Sequence, residues 1–307
     1  MPDSASLPTE TTALAPGAKL RALLSKGGLQ VMPCCYDALS ARMIEQAGFP
    51  LTFMSGFAVS AARLGAPDTG LISYAEMLDQ GRNIAAAVSI PVIGDADTGY
   101  GNALNVKRTV KGYAGAGFAA AMIEDQVAPK RCGHTRGKEV VDRAAALDRI
   151  KAAVDAREEA RAQGLDIMIL ARTDARHGHG LAEAVARAQG FAELGADILF
   201  VEAPRDRTEM ETVCQEVPGW KMANLVEGGD TPLLSPPELE ALGYAIAAYP
   251  LTLLSAAMRA TRDALAALAS GQHPTGLLMD FSELRERVGF DAYYAEEARY
   301  AGARERD

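Results

Sequence analysis

Two carboxylates stand two residues apart in the stretch GDADTGYGN, Asp95 and Asp97. On an extended chain such a pair points to one side, and two anions held together repel unless a cation or proton lies between them. Asp-rich turns beside a glycine are common, so Asp95, Asp97 and Gly99 taken alone also read as a turn. With Asp68 and Glu124 the pair makes an all-oxygen set suited to Mg²⁺, or Mn²⁺ in its place, with several of the ion's waters retained. Zinc fits less well, because Cys132 and His134 lack the usual spacing of zinc ligands.

A second candidate is Cys132, in APKRCGHTRGK, with Lys130 and Arg131 before it and His134, Arg136 and Lys138 after it. Cationic neighbours favour the thiolate, whereas structural cysteines sit in apolar surroundings. The stretch therefore points to proton or nucleophile chemistry on a glycine-spaced loop; His134 counts only as part of it. Arg172, in ARTDAR, is either the structural partner of Asp174 or a bidentate anchor for a substrate carboxylate. Beside a carboxylate-bound metal the second reading is preferred. His177 and His179 in RHGHG read as a solvated loop, and Cys34, Cys214 and Trp220 as packing residues.

These groups need elements to position them. A helical stretch, a glycine stop and a short apolar run recur in IEQAGFPLTFMSG, YAGAGFAAAMIED, FAELGADILFVEAP and LEALGYAIAAYPL. Glycine just past a helix supplies the left-handed cap, and the run after it is strand-like. Eight such strands are expected near 30–34, 51–54, 90–94, 119–123, 167–171, 197–201, 220–223 and 244–248, with helical patterns such as 141–163 and 181–194 between them. Mostly apolar strands alternating with helices imply a covered parallel sheet. Eight of them imply a (β/α)8 TIM-type barrel. A doubly wound open sheet is the structural alternative, but no GxGxxG follows the first strand. The expected division is a flexible N-terminal arm over 1–17 and a single barrel domain over 18–307, with a C-terminal helical extension from about 251.

Barrel chemistry sits at the C-terminal strand ends. There the sequence places Ser55 and Gly56, then Asp95 and Asp97, then Glu124, Arg172, Glu202 and Asn224, after successive strands. Composition agrees with a large globular core, at 49% hydrophobic and 23% charged residues. The net charge of −9 argues against a nucleic-acid partner, yet a local cluster of cations can still bind a small di- or tricarboxylate. Four cysteines at irregular spacing make no disulfide framework, so the expected location is cytoplasmic. The first residues lack the basic and apolar regions of a signal peptide, and no apolar run reaches the roughly 18 residues that span a bilayer.

With GDADTGYGN, IEDQ, KRCGH and ARTDA in this order, the sequence resembles the isocitrate lyase/phosphoenolpyruvate mutase superfamily from about Tyr36 to about Leu251. The resemblance implies a barrel whose final helix swaps between subunits, in a homotetramer built as a dimer of dimers. It implies Asp95 as the direct Mg²⁺ ligand, with Asp97, Glu124 and Asp68 holding metal-bound water. Ser55, Gly56 and Gly133 would cradle substrate with Arg172, and Glu202 and Asn224 would surround its second carboxylate. Cys132, with His134 beside it, would be the acid that protonates the carbanion left by carbon–carbon cleavage. Members that rearrange or hydrolyse phosphonopyruvate lack this cysteine, and isocitrate lyases have a serine-rich stretch where this chain has LVEGG. TRGK and VEGG resemble the branch of 2,3-dimethylmalate lyase and the petal death protein. Phe53 replaces a tyrosine suspected as base in several isocitrate-type lyases, and Pro250 replaces a serine typical of oxaloacetate hydrolases. The implied activity is Mg²⁺-dependent cleavage of a 2-hydroxydicarboxylate such as 2,3-dimethylmalate. Methylisocitrate lyase and carboxyphosphonoenolpyruvate mutase are the enzymic alternatives, and a metabolite-binding scaffold the non-enzymic one.

Overall fold

The computed structural model describes residues 14–131 and 138–301. Eight strands form the centre: β1 (Gln30–Cys35), β2 (Thr52–Met54), β3 (Val92–Asp95), β4 (Ala120–Glu124), β5 (Met168–Thr173), β6 (Ile198–Val201), β7 (Trp220–Asn224) and β8 (Ile246–Tyr249). Each pairs in parallel with the next, and β8 returns to β1 through the register Gln30 to Ile246, so the barrel is closed. The closed ring excludes the doubly wound alternative.

The helices in chain order are α1 (Pro16–Leu24), α2 (Ala38–Gln46), α3 (Gly56–Leu64), α4 (Tyr74–Ala87), α5 (Ala103–Ala116), α6 (Arg143–Arg161), α7 (Ala175–His179), α8 (Leu181–Glu193), α9 (Arg207–Glu216), α10 (Pro236–Leu242), α11 (Thr252–Ala269), α12 (Phe281–Val288) and α13 (Phe290–Ala301). The glycine stops perform as caps: Gly117 ends α5 with φ +93° and Gly243 ends α10 with φ +105°. A side chain there would be strained in the left-handed region.

Two boundaries differ from the sequence reading. Pro16 and Gly17 belong to α1, not to an arm. Proline suits the first helical turn because it needs no hydrogen-bond donor there, and Gly17 lets the helix approach the barrel, its N–H donating to the Asp166 carbonyl at 3.0 Å. A Cβ at Gly17 would lie 2.6 Å from that oxygen. Leu20 and Leu24 of α1 join the cluster inside the barrel. His177 and His179, read as loop residues, lie on the short helix α7, exposed as expected.

The period-two alternation of the strands separates two cores. Phe53, Ile93, Met122, Leu170, Phe200 and Met222 fill the barrel interior. Their neighbours Met54, Val92, Ile123, Ile169 and Val201 pack outward against the helices. Adjacent Cys34 and Cys35 fall on the two faces, as their adjacency implies. Two residues beyond each of those six interior side chains, on the same inward face, stand Ser55, Asp95, Glu124, Arg172, Glu202 and Asn224. The site is thus the next layer of the barrel core, built from polar residues.

Candidate active site

Those six residues line one cavity at the C-terminal mouth, over an apolar floor of Phe53, Met122, Phe200 and Met222. Asp95 is held from three sides. The Gly56 N–H, in the first turn of α3, donates to its Oδ2 at 3.1 Å. The Asp97 N–H donates to Oδ1 at 3.0 Å, and Tyr113 Oη donates to the Asp95 carbonyl at 2.7 Å. A Cβ on Gly56 would lie 2.5 Å from Asp95 Oδ2, so only glycine permits this approach. The helix N-terminus also favours the negative charge. Asp97 lies beyond the end of β3 with φ +48°. The two carboxylates are therefore brought together by a turn rather than by strand alternation, and the backbone strain sits at the site.

Lys130 supplies the cation among these anions. Its Nζ lies 2.7 Å from Asp68 Oδ1 and 2.8 Å from Asp97 Oδ1, with 5% of the side chain exposed. Burial opposes its charge, but Asp97, Asp95, Asp68 and Glu124 outweigh burial and hold its pKa well above the usual lysine value. Burial first, then Asp97, pushes Asp95 up to about 6. Burial also raises Glu124, against the pull of Arg172. Among the described residues, Glu124 Oε1 is buried and has no hydrogen-bond partner.

Among the described residues no three acidic, histidine or cysteine side chains already converge as a complete ligand set. The chemistry of the donors nonetheless fits a hard divalent cation: all are oxygens, one is unpartnered, and their charges already demand a cation. In the sequence Lys130 stands two residues before Cys132 and counts among its cationic neighbours. Its ammonium is committed instead to the carboxylates of Asp68 and Asp97.

Lys130 is placed by a stem at the foot of its loop. The Val127 N–H donates to the Glu139 carbonyl at 2.8 Å and the Val141 N–H to the Asp125 carbonyl at 2.9 Å. Arg149 of α6 donates to the carbonyls of Glu124 at 3.1 Å and Gln126 at 2.7 Å. The Gln126 amide closes a short ring with the Arg131 backbone, 2.9 Å in each direction.

Arg172, on the neighbouring strand β5 where it pairs with Glu124, realises the structural alternative. Its Nε and Nη2 donate to Asp174 at 2.8 and 2.9 Å, and it also faces Glu124 Oε2 at 3.4 Å and Glu202 Oε2 at 3.1 Å. A planar guanidinium can satisfy several carboxylates at once. Asn224 Nδ2 donates to Glu202 Oε2 at 3.3 Å.

The phosphoenolpyruvate phosphomutase family model matches residues 20–269. The chain belongs to this family. It is 43% identical over 290 residues to a 2,3-dimethylmalate lyase of Eubacterium barkeri, covering 94% of this chain and 99% of that protein. A solved 2,3-dimethylmalate lyase structure superposes with a TM-score of 0.88 at 38% identity, covering 94% of this chain and 97% of that one. The chloroplastic carboxyvinyl-carboxyphosphonate phosphorylmutase of Arabidopsis thaliana is 42% identical over 92% of this chain and 84% of that protein. A phosphonopyruvate hydrolase solved with oxalate and Mg²⁺ superposes with a TM-score of 0.81 at 33% identity, covering 94% and 99% of the two chains.

Within this family frame, the structure brings Ser55, Gly56, Asp68, Asp95, Glu124, Arg172, Glu202 and Asn224 together, with Asp97 joined to them through Lys130. Cys132, Gly133 and His134 lie outside the described residues. The expected backbone cradle differs: the Ser55 N–H donates to the Cys35 carbonyl at 3.0 Å, and the Gly56 N–H serves Asp95. Ser55 Oγ caps α3 by accepting from the Ala58 N–H at 3.3 Å. Sequence reasoning missed the role of Lys130, the acceptor Asp125 and the lining residue Phe57. Asp125 beside Glu124 in IEDQ was visible, but nothing in the string shows that it accepts from Thr173 Oγ1 and the Asp174 N–H at the end of the next strand.

Proposed function

We propose that the chain is a divalent-metal-dependent carbon–carbon lyase that cleaves a 2-hydroxydicarboxylate of the 2,3-dimethylmalate type into pyruvate and propionate. The observation that carries this reading is the single polar layer of Asp95, Glu124, Arg172, Glu202 and Asn224 above an apolar floor. Asp95, with Asp97, Glu124 and Asp68 about it, would hold Mg²⁺, and Lys130 would shift to admit it. When bound, such an ion withdraws charge from substrate oxygens and offsets the negative charge of an enolate.

In the cleavage the hydroxyl at C2 loses its proton, the C2–C3 bond breaks, and C3 gains a proton. Arg172 orients the 2-oxoacid carboxylate; its Nη1 carries no hydrogen bond to any described residue. Phe53 has no hydroxyl to serve as base, and Glu124 Oε1, a buried acceptor without a hydrogen-bond partner among the described residues, is assigned to the hydroxyl proton. Cys132 is assigned the proton delivery to C3 from its cationic sequence context. The apolar floor suits the alkyl substituents of the substrate.

The test is a turnover panel of alkylmalates, methylisocitrate, oxaloacetate and phosphonopyruvate with Mg²⁺ or Mn²⁺. Alkylmalates are expected to turn over fastest, and chelation to abolish turnover until metal is restored. Oxaloacetate hydrolysis is expected to be slow, because Pro250 at the cavity rim offers no hydroxyl to a hydrated ketone. Preferential turnover of methylisocitrate, or rearrangement of a phosphonate, would replace this reading with the corresponding family activity.

We further propose that two copies exchange their C-terminal helices, in a dimer of dimers. Met258, Leu265, Leu268, Phe281, Phe290 and Tyr293 of α11 to α13 stand exposed. Between α2 and α11 runs an apolar groove lined by Val31, Met43, Ile44, Phe49 and Leu253. A second copy's α12 and α13 are the occupant that would bury both surfaces. Light scattering is expected to show a tetramer, and a chain ending at Ala269 a smaller or aggregating species. A monodisperse monomer at micromolar concentration would overturn the exchange. Among the described residues no helix is long and apolar enough to cross a membrane, and the free thiols of Cys34, Cys35 and Cys214 agree with a reducing, cytoplasmic location.

A further inference from the structure

The mouth of the barrel holds a buried cation that the proposed chemistry does not use. Arg187 belongs to the outer helix α8, yet only 3% of it is exposed. Its Nη1 donates to Asp125 Oδ2 at 3.0 Å and to the Val141 carbonyl at 2.8 Å, while Nε donates to Glu183 Oε1 at 2.8 Å. Asp125 in turn accepts from Thr173 Oγ1 at 2.6 Å and from the Asp174 N–H at 2.9 Å. Asp174 is the carboxylate on which the Arg172 fork is seated. One guanidinium thereby joins three segments: the exit of β4 beside Glu124, the returning arm of the loop stem at Val141, and the exit of β5 that carries Arg172.

Arg187, Asp125, Thr173 and Asp174 are all buried, Asp125 and Asp174 at 2% exposure each. Removing one member of such a network leaves an uncompensated group, and its neighbours rearrange to find new partners. The nearest rearrangement lies at Thr173 and Asp174, which share Asp125 with Arg187 and directly follow Arg172. A glue between α8 and the barrel needs only one contact of this kind. The divergence of Arg187 to both ends of the loop stem and, through Asp125, to the β5 exit serves the register of the site.

We propose that Arg187 is a positioning residue for Arg172, acting through Asp125 and the Thr173–Asp174 backbone. The proposal rests on the reading of Arg172 as the anchor for the substrate carboxylate. Its test compares Arg187→Met, Arg187→Lys and Thr173→Val, with Arg172→Lys as reference, in Mg²⁺-loaded protein. Two quantities are measured: the Kd of oxalate by calorimetry, and amide exchange of the segment 172–176 by mass spectrometry. Arg187→Met is expected to raise the oxalate Kd roughly tenfold or more and to speed exchange at 172–176, since small misplacements of an orienting group cost such factors. Arg187→Lys keeps a cation for Asp125 and is expected to restore both to within about threefold of wild type. A merely structural role would lower the melting temperature and leave both quantities unmoved.

Unchanged exchange at 172–176 in Arg187→Met overturns the proposal. So does a wild-type oxalate Kd in that variant while Arg172→Lys loses binding. If Arg172→Lys binds oxalate as wild type does, the anchor reading has failed, and exchange at 172–176 alone decides the positioning role. If Arg187→Met does not fold, Thr173→Val decides it: the loss of one hydroxyl should shift both quantities in the same direction, and no shift in either overturns it.

Discussion

Gly56 and Cys132 carry opposite kinds of evidence for the same site. For Gly56 the geometry is explicit: its N–H serves Asp95, and a Cβ would meet Oδ2 at 2.5 Å. Gly56→Ala should displace Asp95 and weaken Mg²⁺ or Mn²⁺ binding by about 10- to 100-fold, the usual cost of disturbing a group that orients a metal ligand. Calorimetric metal titration of the folded variant checks this, and unchanged affinity would remove Asp95 from the metal site. For Cys132 the warrant is its sequence context, now narrowed because Lys130 is engaged by Asp68 and Asp97. Cys132→Ser should retain oxalate binding and lose turnover by about 10²- to 10⁴-fold, the range of a general acid. Near wild-type turnover with intact binding would free the thiol from the mechanism.

At the scale of elements, α4 meets the barrel through a glycine. A Cβ on Gly81 would lie 2.2 Å from Phe118 Cζ, a ring that stacks on Tyr113 with centroids 4.5 Å apart. Alanine gains up to about 1 kcal/mol in helix propensity, but overpacking a tight core costs about 1–3 kcal/mol. Gly81→Ala is therefore expected to lower stability, and since Tyr113 also holds Asp95, to weaken metal binding as well. Denaturant titration beside metal calorimetry reads both; a more stable variant would contradict the packing argument.

The eight strands were legible because apolar runs between glycine caps have no other use in a parallel barrel. The inward face of Asp95, Glu124, Arg172, Glu202 and Asn224 follows from the same alternation that buries Ile93, Met122, Leu170, Phe200 and Met222. What was not legible is contact across long stretches of chain. Lys130 and Asp68 are 62 positions apart, and so are Arg187 and Asp125. No local period links such pairs. The start of α1 was missed because Pro16 and Gly17 look like loop residues until Asp166 is seen beside them.

On the scale of the whole molecule, the closed barrel gathers the buried carboxylates Asp68, Asp95, Glu124 and Glu202 at one end. The chain carries a net −9, and its proposed substrate is itself a dianion, so Arg172 and the bound cation must supply the attraction locally. At this mouth a carbon–carbon bond is proposed to break, with a proton delivered to the fragment released. The most direct measurement is NMR of the reaction with 2,3-dimethylmalate and Mg²⁺ in D₂O. Pyruvate and propionate are expected in equal amounts, with one deuterium placed on one face at C2 of propionate, and neither product when metal is removed. No cleavage of this or any other 2-hydroxydicarboxylate, with turnover of a phosphonate in its place, would contradict the proposed reaction.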